Sequence, residues 1–176
     1  NDHLRGLGGD DQLLGANGND TLNGGTGNDS LAGGAGSDSY IFNAGDGNDI
    51  IEETGALPMD IDKIYFGSGI TPEHIIFERD NLDVVVLFSQ SDDQIRIKNW
   101  GDGFTHQIEE FHFSDGTVWD TAYLAERINA TSSVLSGSTN DDGLKAWRGR
   151  NDSLIGLGGN DKLLGNTGND TLSGGL

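Results

Sequence analysis

Five aspartates near the start of this chain, Asp2, Asp11, Asp20, Asp29 and Asp38, stand nine residues apart each time. A large apolar residue follows each by two positions: Leu4, Leu13, Leu22, Leu31 and Tyr40. Glycines fill the intervals, as in Gly24-Gly25-Thr26-Gly27-Asn28-Asp29-Ser30-Leu31-Ala32 and Gly33-Gly34-Ala35-Gly36-Ser37-Asp38-Ser39-Tyr40-Ile41. The pattern returns near the other end, where Asp142, Asp152, Asp161 and Asp170 precede Leu144, Leu154, Leu163 and Leu172. One interval there is ten, which places an inserted residue around Trp147–Arg150. A short fixed period of this kind restricts the chain to a stacked solenoid, because one nonamer cannot bury its apolar residue alone.

Each nonamer is expected to divide into a six-residue turn and a three-residue strand. In so short a strand the middle side chain points one way and its neighbours the other. The leucine then faces inward, and Thr21, Asn23, Ser30 and Ala32 face solvent. Two nonamers make one coil, each giving a strand to one of two facing sheets, so turns on one edge are 18 residues apart. Asp11 is expected beside Asp29, and Asp20 beside Asp38. Stacked carboxylates repel unless a cation lies between them. Ca2+ takes about 6–8 oxygens at ~2.3–2.6 Å, which paired carboxylates and turn carbonyls can supply.

The candidate carboxylate ligands are Asp11, Asp20, Asp29, Asp38, Asp49, Asp142, Asp152, Asp161 and Asp170. The candidate backbone carbonyls in the first block belong to Gly6, Gly8, Gly9, Gly15, Asn17, Gly18, Gly24, Gly25, Thr26, Gly27, Gly33, Gly34, Ala35 and Gly36. Those in the second belong to Gly156, Gly158, Gly159, Gly165, Thr167 and Gly168. The repeat resembles the RTX (repeats-in-toxin, haemolysin-type) nonapeptide Gly-Gly-x-Gly-x-Asp-x-U-x, where U is large and apolar. That resemblance implies a parallel β-roll with several Ca2+ ions between successive turns. Leu7 and Ala16 depart from it at the second glycine, and Asn140 at the fourth position of one copy.

Composition agrees with a turn-rich, cation-holding chain. Glycine numbers 29 of 176 residues and proline only 2, which excludes collagen. The formal charge of −19 argues against nucleic acid and against an anionic membrane surface. The absence of cysteine excludes thiolate metal sites and disulfides. No apolar run approaches the ~20 residues of a membrane helix.

Between the blocks glycine thins out and β-branched and aromatic residues rise. Strands are expected over Asp62–Phe66, His74–Glu78, Leu82–Phe88, Gln94–Lys98 and Glu110–Phe113. Leu82, Val84, Val86 and Phe88 are expected to share a face, as are Ile95 with Ile97 and Phe111 with Phe113. Thr71-Pro72-Glu73 looks like a helix start, and Asp120–Ile128 like a short helix with Leu124, Ala125 and Ile128 on one side. Phe66-Gly67-Ser68-Gly69-Ile70-Thr71-Pro72, Asn99-Trp100 and Phe113-Ser114-Asp115-Gly116-Thr117-Val118-Trp119 resemble the haemolysin-type calcium-binding-related domain. The expected fold is all-β: two short parallel β-rolls, residues 1–51 and 132–176, flanking a β-rich middle domain, 52–131, with one short helix.

No catalytic constellation is evident, so the expected function is not enzymatic. Glu109 and Glu110 are adjacent and expected on opposite faces, and no nucleophile elbow or zinc-protease helix is present. Trp100 and Trp119 are expected in the core, leaving Trp147 as the candidate ligand-binding aromatic. The resemblance implies a calcium-dependent folding module of a large, type I-secreted bacterial protein: a toxin, adhesin or exoenzyme acting outside the cell. The competing expectation is a calcium-dependent module that recognises a glycan or host receptor. The broken repeats at the two ends suggest end-to-end self-association.

Overall fold

The computed structural model describes residues 1–55, 57–80, 82–100, 106–129, 134–145, 151–165 and 169–175. They divide into two compact units, Asn1–Ala125 and Glu126–Leu176. The first opens with β1 (His3–Gly8), β2 (Gln12–Asn17), β3 (Thr21–Thr26), β4 (Ser30–Ala35), β5 (Ser39–Phe42) and β6 (Asn48–Ile51). Odd and even strands enter different sheets, as a two-nonamer coil demands. All these strands run parallel, with Leu4 opposite Leu22 and Leu13 opposite Leu31. β1 to β4 reach six residues each, because the pairing continues into the first positions of the next repeat.

The alternation follows the pleat: in β3, Leu22 is fully buried while Thr21 and Asn23 are half-buried. Leu31, Tyr40 and Ile51 extend this inner column. Burying one such side chain stabilises by roughly 1.5–3 kcal/mol.

The sheets do not stop where the repeat stops. β7 (Lys63–Phe66) adds to β5 in parallel, placing Ile64 opposite Tyr40. One 3-10 turn, Pro72–His74, leads into the antiparallel hairpin of β8 (Ile75–Asp80) and β9 (Asp83–Phe88). β10 (Gln94–Ile97) joins β9 to β6, and with β11 (Glu110–His112) and β12 (Val118–Trp119) the two six-stranded sheets run β1-β3-β5-β7-β11-β12 and β2-β4-β6-β10-β9-β8. In the first of these, β11 and β12 are the closing strands. The helix α1 spans Thr121–Asn129.

Three local expectations are corrected. The Thr71-Pro72 helix start yields a single 3-10 turn, since β8 begins at Ile75. Leu82 is 47 % exposed at the hairpin tip, whereas Val84, Val86 and Phe88 are buried. Ala125 is exposed on α1, although Leu124 and Ile128 are buried as the spacing predicts. The core of the middle segment is aromatic. Phe66 stacks on Phe113 and meets Phe88 and Phe111 edge-on, and Trp119 lies against Phe77 and Phe113. Trp100 and Trp119 are both buried, as expected.

In the second unit β13 (Val134–Ser136), β15 (Ser153–Ile155) and β17 (Thr171–Ser173) form one parallel sheet, and β14 (Gly143–Lys145) and β16 (Lys162–Leu164) the other. Leu154 is fully buried, while Leu172 on the last strand is 47 % exposed.

Candidate functional site

The stacked turns bring the aspartates together through the backbone. The Asp11 amide donates to Asp29 Oδ1 at 2.8 Å, and the Asp20 amide to Asp38 Oδ1 at 2.6 Å. Each aspartate therefore caps the amide of its counterpart one coil earlier. On one edge the ladder runs from Asp2 through Asp20 and Asp38 to Asp62, and ends where the Asp62 amide meets Glu109 Oε2 at 2.8 Å. On the other edge it runs from Asp11 through Asp29 to Asp49. The second unit repeats it, Asp142 to Asp161 at 3.0 Å and Asp152 to Asp170 at 2.9 Å.

In Asp20, Asp29, Asp38 and Asp161 one carboxylate oxygen is thus satisfied and the other is not, whereas Asp142 Oδ2 accepts the Ser138 amide at 2.6 Å and its hydroxyl at 3.0 Å. Asp11, Asp20, Asp29, Asp38 and Asp161 each hold a buried Oδ2 that accepts no hydrogen bond from the protein. Leaving such an oxygen unpaired in a protein interior costs several kcal/mol unless a cation compensates it.

Where those oxygens point explains the first glycine of the repeat. A Cβ on Gly6 would lie 2.5 Å from both Asp11 Oδ2 and the Gly24 carbonyl oxygen. A Cβ on Gly15 would lie 2.6 Å from Asp20 Oδ2 and from the Gly33 carbonyl oxygen. Gly24, Gly33, Gly156 and Gly165 face Asp29, Asp38, Asp161 and Asp170 in the same way. None of these glycines has a positive φ, so the position is kept empty for room rather than for a turn angle. The cradles at Gly6, Gly15, Gly24, Gly33 and Gly156 gather a bare carboxylate oxygen and, at Gly6, Gly15 and Gly156, a carbonyl from the neighbouring coil: hard oxygen donors fit for Ca2+.

The second and fourth positions answer a different need. Gly25 and Gly34 have φ near 91° and 103°, and Gly9, Gly18, Gly27 and Gly36 are also left-handed. Leu7 and Ala16, which replace the second glycine, hold φ of 76° and 75°. The Thr26 and Ala35 carbonyls accept the Gly9 and Gly18 amides, which ties the turns of successive coils together. Gly8 and Asn17 end β1 and β2, and Gly158 and Gly159 lie in the bend after β15 of the second unit. Trp147, Thr167 and Gly168 lie outside the described residues.

A family model of the RTX calcium-binding nonapeptide repeat matches residues 1–22, 14–51 and 148–176. A second, the haemolysin-type calcium binding protein related domain, matches residues 83–123. Residues 1–51 and 148–176 carry RTX calcium-binding repeats. No curated protein matches it. RTX repeats of this type bind Ca2+, and RTX repeat domains are generally structural calcium-binding modules. The bare Oδ2 atoms and cleared glycine faces described above suit that ion.

Sequence reasoning missed acidic residues outside the candidate ligand set. Asp62 takes the ladder position above Asp38, and its signal was present: Asp62-Lys63-Ile64 has the repeat's spacing of aspartate and inward apolar residue. Asp10 accepts the Asn28 amide at 2.8 Å, and Asp46 accepts the Asn43 amide at 2.7 Å. Burial, then the neighbouring charges of Asp29, Asp46 and Asp93, push Asp49 up to about 7. Burial, with the charges of Glu109, Asp38 and Asp60, does the same for Asp62. Glu109 and Glu110 serve different partners: Glu110 pairs with Lys63 at 3.1 Å and His112 at 2.6 Å, while Glu109 caps Asp62.

Proposed function

We propose that this chain is a calcium-coupled folding module of a larger exported protein. Asp11, Asp20, Asp29, Asp38, Asp49, Asp142, Asp152, Asp161 and Asp170 would supply the carboxylates and turn carbonyls the remaining oxygens. The observation that carries the reading is the column of buried, unpartnered Oδ2 atoms facing cleared glycine positions. Ca2+ bound there supplies positive charge between carboxylates that otherwise repel. The residues do the rest: amide-to-carboxylate hydrogen bonds hold the outer oxygens of Asp20, Asp29, Asp38, Asp49, Asp161 and Asp170, which orients the inner ones.

The electrostatics set the place of folding. A net charge of −19 and a glycine-rich backbone favour an expanded chain when calcium is scarce. Extracellular calcium modules bind at roughly 0.1–1 mM, far above cytosolic calcium. The chain would therefore stay unfolded inside a bacterial cell and fold after export, consistent with passage through a type I channel. In this reading segment 52–131 caps the first roll, and 132–176 forms the second.

The test is the hydrodynamic radius against free calcium. The expected result is contraction over the ~0.1–1 mM range typical of extracellular sites. A radius already compact in chelator and unmoved by calcium would refute the reading.

A further inference from the structure

A buried carboxylate cluster lies where the first roll meets the strands that follow it, and it contains residues outside the nonapeptide repeat. Asp38, Glu53 and Asp62 are all at most 1 % exposed. Each offers a carboxylate oxygen, and these oxygens lie within 4.8 Å of one another. Two oxygens bound to opposite sides of one Ca2+ stand about 4.6–5.2 Å apart, twice the usual bond length. The spacing therefore suits ligands that share an ion.

Glu53 is the unexplained member. Its Oε1 accepts a short hydrogen bond from the Tyr40 hydroxyl, which itself accepts the Gly33 amide at 2.7 Å. Its Oε2 is fully buried and accepts no hydrogen bond from the protein. Asp38 Oδ2 is likewise bare.

The strand register shows what Glu53 replaces. In β4 and β6, Ser30 pairs with Ile50 and Leu31 with Ile51. Continued along the chain, that offset brings Glu53 to the level of Gly33. One coil earlier, the Gly33 carbonyl occupies the corresponding place opposite Asp20 Oδ2. Where the repeat ends, a side-chain carboxylate stands in for a backbone carbonyl.

We infer that Asp38, Glu53 and Asp62 form a further divalent-cation site, a three-carboxylate centre that closes the end of the first roll. It rests on the calcium reading of the repeats in one respect, that Asp38 is a repeat aspartate. Its third carboxylate makes it more negative than a two-aspartate cradle, and affinity rises with ligand charge. Calcium fills this site first during a titration, and the filled site joins β5, β7 and the segment after β6.

Wild-type crystals grown in calcium and soaked in Tb3+ test the inference by anomalous scattering. The expected result is a peak in contact with carboxylate oxygens of Asp38, Glu53 and Asp62, beside peaks in the repeat turns. Peaks confined to the turns would overturn this site and leave the repeats' binding intact; peaks at neither place would overturn both. In solution, Glu53→Gln is expected to weaken the tightest class of Ca2+ sites by about tenfold or more, with Glu53→Asp restoring part of it. Asp92→Asn, at an exposed carboxylate outside the ladder and the cluster, is expected to spare that class. An unchanged titration in Glu53→Gln would count against the site.

Discussion

At the scale of single residues, the glycines divide by position into two physical classes. The first glycine of each repeat clears space in front of an aspartate oxygen, whereas the second relieves a left-handed backbone. Substitutions should separate them. Gly24→Ala has no φ penalty but drives a methyl group into Asp29 Oδ2. It is expected to weaken calcium binding by about tenfold, with a smaller effect on the chelated chain, measured by calorimetric titration. Ala16→Gly removes a left-handed alanine at φ 75°. The relief of ~1–2 kcal/mol, less the ~0.5–1 kcal/mol entropic cost of glycine, should stabilise the calcium-loaded fold by up to about 1.5 kcal/mol. Thermal unfolding at saturating calcium measures it, and destabilisation would contradict the strain argument. The repeat aspartates were legible from their period alone. Glu53 was not, because no local pattern marks a carboxylate that the register of β4 and β6 brings to the level of Gly33.

At the scale of elements, the nonapeptide pattern correctly predicts parallel strands, their alternation between two sheets and the inward leucines. It does not foresee that β7 and β10 extend those sheets, because pairing between distant segments leaves no periodic trace. The Thr71-Pro72 start was misleading for a related reason: a cap favours a helix only if the chain after it is free to continue, and β8 is held by β9. The join of β9 and β10 has its own electrostatic anchor. Asp83 receives Arg96 and Lys98 at 3.0 Å each and the Asn99 amide at 2.9 Å. Burial alone would raise its pKa, but the Asn99 amide and the two cations outweigh that and hold it below the usual aspartate value. A depressed folded pKa contributes stability that is present above the unfolded value and lost as the pH falls through the folded one. Asp83→Asn should therefore flatten the acid limb of the stability curve. At neutral pH it should cost about 1 kcal/mol, because both cations remain partly solvated. Urea unfolding at saturating calcium between neutral and acid pH checks both; parallel curves for the two proteins would contradict the assignment.

At the scale of the whole molecule, hydrophobic burial and cation binding are arranged in series. Each coil contributes one or two inward side chains, too few to hold a solenoid in a chain whose net charge is −19. Each Ca2+ that bridges turns adds stability by mass action, about 1.4 kcal/mol for a site at ten times its dissociation constant. Several such sites acting together reach the ~5–15 kcal/mol typical of a folded domain. The aromatic core around Phe66, Phe111 and Trp119 is the part least dependent on the ion, and it abuts the end of the first roll. Unfolding on chelation should accordingly begin at β1 and β2, where Leu4 and Leu13 are only half-buried. Hydrogen exchange at intermediate calcium should show these strands losing protection before β9 and β10; the reverse order would contradict this picture. The central claim is most directly tested by far-ultraviolet circular dichroism and melting temperature, recorded in millimolar calcium and again after EGTA. The account predicts a β-rich, cooperatively melting protein that loses most of its strand signal and its transition in chelator. An unchanged spectrum and melting point would contradict it.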